Sequence, residues 1–208
     1  MNEVAVIVPT LMRPHKVSRV LETFGAAGVR IVFVADPHDD LTLDTLREAG
    51  AEHIAPGGNY ARKIRAGVKH TSEQYVFTGG DDLEAKPGWF EAALEKLVEP
   101  VQVVGINDLI KRTRKHATHF VMTRAYAEQP TIDGRPGPFF DGYHHWFMDD
   151  EFIATAEHRG VYAYAPDAQV LHLHPMAGLA EDDEVYRLGR QQRRYDGKKF
   201  KRRSVHWT

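Results

Sequence analysis

The chain opens with a short apolar run at 4–8, then a turn region with Pro9 and Pro14. Through 15–27, Val17, Val20, Leu21 and Phe24 recur at helical spacing. A second apolar run at 31–35 ends at Asp36-Pro37, and a helix at 41–49 leads to Gly50 and a short strand at 53–54. A helix is predicted at 60–70, and a strand at 73–78 delivers the chain to Asp81 and Asp82. Short apolar runs alternating with amphipathic segments argue for a largely parallel sheet with helices on both faces.

The rhythm then changes. A helix at 87–98 precedes strands at 101–106 and 119–123, which read as mixed sheet. The Gly- and Pro-rich stretch 131–143 predicts a loop long enough to carry function. A helix at 146–159 is closed by Gly160, and final strands are expected at 161–165 and 170–173. There is no internal repeat, low-complexity segment or interdomain linker.

A length of 208 residues fits one domain with a substantial core. No apolar run approaches the roughly 20 residues that cross a bilayer. The start reads as a strand rather than a signal peptide. With no cysteine there is no disulfide framework, and a cytoplasmic setting is the expectation. The net charge of −2 hides a basic stretch at 187–203, opposed only by Asp196. Such a tail either attracts a polyanion or is a solvated, fraying terminus.

Ligands of open α/β sheets collect beyond the carboxyl ends of the strands, where Asp36, Asp81 and Asp82 fall. The first turn, VPTLMRPH, lacks the glycines of a dinucleotide fingerprint, and no GxxxxGK[ST] is present. A Rossmann dehydrogenase and a P-loop NTPase are therefore disfavoured. Adjacent carboxylates repel, and a hard divalent cation, Mg²⁺ or Mn²⁺, would relieve them. In VLHLHP, His172 and His174 share one face of a strand. Taken singly, an aspartate pair also fits a solvated turn and a histidine a structural role.

Together these segments resemble a GT-A fold glycosyltransferase, closest to family 2. VAVIVPTLMRP is similar to that family's first strand and Pro-Thr turn. GGDDLEAKPGWF resembles the DxD region, with Gly80 standing where the first Asp is usual. PFFDGYHHWFMDDEFIATAEHRG resembles the acceptor-side segment, with Met148 in place of the usual Glu, and PDAQVLHLHP the late strand that carries a metal-binding histidine. The resemblance implies a GT-A domain over 1–180, with a nucleotide-binding half at 1–106 and an acceptor-side half at 107–180. A basic helix or tail follows at 181–208.

It also implies roles. Pro9, Thr10, Arg13, Asp36, Arg62 and Asp81 would bind a nucleotide-sugar donor, expected to be a UDP-sugar. Asp82 and His172, with His174 as the weaker choice, would hold Mn²⁺ or Mg²⁺. Asp149 would be the catalytic base and Asp150 its competitor, otherwise a helix cap. Asp149 is expected on a helical stripe with Trp146, Ile153 and Ala156, facing the interior. Trp89, Trp146 and Asp141 would meet the acceptor, which is left open among glycan, protein, small molecule and nucleic acid. Inversion at the anomeric carbon is the expected stereochemistry. Two other classes stand beside this one: a sugar nucleotidyltransferase, disfavoured by the glycine-free first turn, and a nucleic-acid-binding protein using the basic tail.

Overall fold

The computed structural model describes residues 3–110 and 116–208. Val4–Pro9 forms β1, a buried apolar strand. It pairs in parallel with β2 (Arg30–Val34) on one side and β4 (Tyr75–Thr78) on the other. The short β3 (His53–Ile54) extends the sheet past β2. Antiparallel β7 (Phe120–Thr123) joins β4 to β6 (Val103–Asn107), which pairs in parallel with β8 (Tyr162–His172). The three-residue β5 (Leu83–Ala85) closes the order β3-β2-β1-β4-β7-β6-β8-β5. The alternating α/β frame predicted from the sequence is what forms.

Helices cover both faces. On one, α1 (Val17–Gly25) buries Val17, Val20 and Phe24, with α2 (Asp40–Glu48) and α4 (Trp89–Leu94) beside it. On the other lie α3 (Tyr60–His70), the short α5 (Arg124–Ala127) and α6 (Met148–His158). Each fully buried aliphatic or phenyl side chain contributes about 1.5–3 kcal/mol. Asp39 and Asn59 cap α2 and α3 by accepting the N–H groups of Thr42 and Arg62. Gly67 lets α3 lie directly on β1, because a Cβ there would overlap the Ile7 side chain.

Three expectations are corrected. The two final strands are one, since β8 runs unbroken through Pro166-Asp167 and absorbs them in a register shift opposite Ile106/Asn107. Helix α6 begins at Met148, after Phe147 in a left-handed conformation, so Trp146 lies outside it. Its buried positions are Met148, Glu151, Phe152, Thr155 and Ala156, and Asp149 stands off that stripe. Of the helix or tail left open for the basic C-terminal segment, the helix is what forms: Glu184–Arg203 is the 20-residue α7. Tyr186, Gly189, Asp196 and Arg203 are its buried face.

Because β1, β4, β6 and β8 run the same way, their carboxyl ends meet along one edge of the sheet. That edge is where the side-chain chemistry gathers.

Candidate active site

A cleft of about 320 Å³ opens at this edge, lined by Pro9, Thr10, Arg13, Asp81, Asp82, Trp146, Asp149, His172 and His174 among others. Asp81 and Asp82 follow β4 through Gly79 and Gly80. Gly79 has no room for a side chain, and Gly80 is tightly packed. A Cβ at Gly79 would sit 2.8 Å from the Ile7 carbonyl oxygen, and one at Gly80 3.0 Å from Asp82 Oδ1. A side chain at Gly80, where the DxD pattern has its first aspartate, would press on the Asp82 carboxylate.

The two carboxylates have different partners. Asp81 accepts hydrogen bonds from the Thr10 hydroxyl at 2.9 Å and from Arg13 Nη1 at 2.8 Å. Burial and the neighbouring Asp82 push its carboxyl up, against the pull of Arg13. Asp82 Oδ2 accepts from the Tyr186 hydroxyl at 2.7 Å and lies 3.4 Å from His172 Nε2. Burial opposes its charge, but His172, Arg13 and Tyr186 hold its carboxyl well below the usual range. On the other side of the His172 ring, Nδ1 is 3.5 Å from Asp108 Oδ2. Burial works against the His172 imidazolium, yet Asp82 and Asp108 outweigh it and raise its pKa to about 9.

The donor set suits a hard cation. Asp82 Oδ2 and His172 Nε2, 3.4 Å apart, are wider than the roughly 3.0 Å between neighbouring ligands on an octahedral ion with bonds of about 2.1 Å, so one ion could be shared after a small inward shift of either side chain. Asp108 orients the ring from behind, as carboxylates do for ligating histidines. Among the described residues no group of three His, Cys, Asp or Glu side chains is arranged to hold a metal. An ion here would take two protein ligands, as Mg²⁺ and Mn²⁺ do when phosphate and water complete the shell. His174 lines the cleft, but its Nδ1 accepts the Met176 N–H at 3.1 Å in the following turn.

Across the cleft, Asp149 stands in the first turn of α6, where the helix dipole favours an anion. Its Oδ2 lies 3.1 Å from His116 Nε2. Asp150 is not on the cleft wall, and its carboxylate is 3.8 Å from His116 Nδ1.

Other predicted residues fall elsewhere. Trp89 is 1% exposed and packs against Phe24, Phe77 and Phe90, so its ring cannot stack on a sugar. Arg62 and Asp141 bond to each other at 3.3 Å, outside the cleft lining. Asp36 also lies outside that lining, its Oδ1 accepting the His38 N–H. Trp146 does line the cleft, its indole N–H donating to the Gly189 carbonyl at 2.8 Å.

Several site residues escaped the sequence reading. Lys63, buried on α3, donates to the Thr10 carbonyl at 2.7 Å, and burial pulls its pKa down. Asp108 follows β6 and could have been found by the strand-end rule. His119, next to the start of β7, is buried on the cleft wall, and burial lowers its pKa. Asp183 and Tyr186 lay within a segment legible only as charge. Asp183 caps α7 and holds Arg13 Nε at 2.7 Å.

A GT-A-type α/β sheet with a carboxylate-and-histidine cleft at its strand ends marks the chain as a glycosyltransferase. The profile of glycosyl transferase family 2 matches residues 5–154, and the chain belongs to that family. Comparison with curated protein sequences gives no significant match. Among solved structures, the chain is similar to glucosyl-3-phosphoglycerate synthase from Mycobacterium tuberculosis. In complex with phosphoglyceric acid that enzyme superposes with a TM-score of 0.65 at 12% identity, over 92% of this chain and 76% of that one. Its complex with uridine diphosphate gives 0.65 at 13%, with the same coverage. S. aureus TarS, residues 1–349, gives 0.60 at 14%, over 82% of this chain and 59% of that one. At these identities the likeness speaks for the fold. No helix among the described residues is long and apolar enough to cross a membrane.

Proposed function

We propose that the enzyme transfers a sugar from a UDP-sugar to an acceptor hydroxyl with inversion, using a divalent cation held by Asp82 and His172. The observation that carries this reading is the 3.4 Å approach of Asp82 Oδ2 to His172 Nε2, on the wall of a cleft whose far side presents Asp149. The UDP-bound structure of glucosyl-3-phosphoglycerate synthase, similar in fold, supports the choice of nucleotide.

In this scheme Pro9 and Thr10, which line the cleft, meet the base and ribose. Arg13 lies between the two carboxylates, 2.8 Å from Asp81 Oδ1 and 3.6 Å from Asp82 Oδ2, and the Asp82 and His172 pair serves the diphosphate. A bound cation supplies Lewis-acid stabilisation of the departing diphosphate. Asp149 accepts the proton of the attacking hydroxyl as its oxygen bonds to the anomeric carbon, while the bond from that carbon to the diphosphate breaks and UDP leaves with the electron pair. His116 holds the Asp149 carboxylate in position through the 3.1 Å contact.

The test is thermal stabilisation by a panel of nucleotide sugars with and without Mn²⁺. A UDP-sugar that stabilises only with metal, and not in Asp82→Asn, is the expected result. Failure of every nucleotide sugar to stabilise the wild type with metal present would overturn the reading.

A further inference from the structure

Helix α7 starts at the cleft, where Val185 and Tyr186 line its wall, and at 1.5 Å per residue it runs about 30 Å. It holds nine basic residues against two acids, so the helix carries +7 while the remainder of the chain carries −9. The two acids do not offset its outer face: Glu184 is in the first turn and Asp196 is fully buried. Some of the bases have structural work. Arg203 is buried between Glu151 and Asp133, and Arg190 pairs with Asp182. Arg194, Lys198, Lys201 and Arg202 are exposed, and none forms an ion pair among the described residues.

We infer that this outer face of α7 is a docking surface for the phosphate backbone of a nucleic acid, which presents the acceptor hydroxyl to the cleft. Delivery of the hydroxyl rests on the transferase reading above; the docking itself does not. Residues 194, 198 and 202 lie on successive turns, about 6 Å apart. That step is close to two phosphates of one duplex strand, which rises about 3.4 Å per nucleotide. An aromatic side chain interleaves with the cations. Tyr195 is 54% exposed, and its ring meets His144 of the cleft wall edge-on with centroids 5.1 Å apart. Nearer the cleft, the Arg193 guanidinium lies 5.1 Å from the centre of the Trp146 ring. Cations in a row with interspersed aromatic faces are the elements of backbone-tracking nucleic-acid surfaces. A membrane surface fits less well, because Leu188 and Tyr195 are the large hydrophobic side chains that α7 exposes, too few for an apolar face.

Removing the helix is not a fair test, because Tyr186, Asp196 and Arg203 are part of the folded domain. The experiment uses the full chain carrying Arg194→Glu, Lys198→Glu and Arg202→Glu together. A charge-matched control carries Arg47→Glu, Lys69→Glu and Lys96→Glu at exposed sites on other helices and loops. Fluorescence anisotropy at 150 mM NaCl follows binding to a labelled 20-nucleotide strand and to a 20-base-pair duplex, and co-sedimentation follows binding to phosphatidylserine vesicles. The expected result is nucleic-acid binding whose log K falls against log salt with a slope of about −3, as for roughly four phosphate contacts. Binding should weaken at least tenfold in the α7 triple variant and by less than twofold in the control. No nucleic-acid binding by the wild type, equal losses in both variants, or binding to vesicles alone would each overturn the proposal. Thermal stabilisation by UDP with Mn²⁺ present, read in parallel, separates the two readings. Its absence beside intact nucleic-acid binding would sink the transferase scheme and leave the docking surface standing.

Discussion

The Tyr186 hydroxyl donates to Asp82 Oδ2 at 2.7 Å, tying a residue of the C-terminal helix to one 104 positions earlier at the centre of the cleft. The same hydroxyl lies 3.1 Å from the Leu173 carbonyl, and Asp183 one turn before grips Arg13. The helix therefore helps to set the electrostatics of the proposed donor site.

Tyr186→Phe keeps the ring and removes the donor to a buried carboxylate. A hydrogen bond to a charged group is worth about 1.5–3 kcal/mol. The variant is expected to lose that much in urea unfolding. UDP affinity in the presence of Mn²⁺ should change as well. An unchanged urea midpoint and unchanged affinity would show that the contact contributes nothing.

Asp149→Asn should bind donor like the wild type and lose transfer by about 10²–10⁴-fold, the usual weight of a general base. Asp150→Asn should retain most activity, because that side chain is off the cleft wall. Equal losses in the two variants would remove the distinction between them. Single-turnover assays with saturating UDP-sugar make the comparison.

His116→Ala should lower kcat by about tenfold and leave the thermal shift with UDP unchanged. His116→Gln, which can still donate to Asp149, should recover part of the loss. A fall in UDP affinity instead would mean that the histidine shapes the donor site.

Acid should loosen α7 only below about pH 4. Asp133 is held low by Arg203, Asp196 by three backbone N–H groups against the cost of burial, and Asp183 by Arg13 against the same cost. Each has a folded pKa below its unfolded value. Their contribution to stability is thus complete above the usual carboxylate pKa near 3.9 and is lost as pH falls below it. Asp196→Ala should cost on the order of 3 kcal/mol at pH 7, since three main-chain N–H groups lose their charged acceptor. Its stability should approach that of the wild type as pH falls below about 4. Urea midpoints across pH 2–7 check this; curves that stay parallel throughout would contradict it.

Much of this was legible in the sequence because two periods of the chain are strong. The strand runs and the α1 stripe of Val17, Val20, Leu21 and Phe24 gave the alternating, largely parallel frame, and the strand-end rule led to Asp81 and Asp82. Three features were not. Trp89 reads alike as core or as sugar platform, and only its seat against Phe24 and Phe77 decides. Two strands are expected at 161–165 and 170–173, but the register shift at Ile106/Asn107 lets β8 run through the residues between them. Tyr186 was hidden among cations, since a charge run carries no periodic signal about what lies beneath it. The inward stripe of α7 is sparse and includes a glycine and two ionisable side chains, which hydrophobic patterning does not register.

Asp196 takes the main-chain N–H groups of His144, His145 and Trp146 within 3.2 Å, so one side chain near the end of the chain shapes the loop at the cleft mouth. Anyone grafting that loop into another scaffold must bring the distant helix with it. Loop and helix form a single exchangeable cassette, interrupted in sequence but continuous in space.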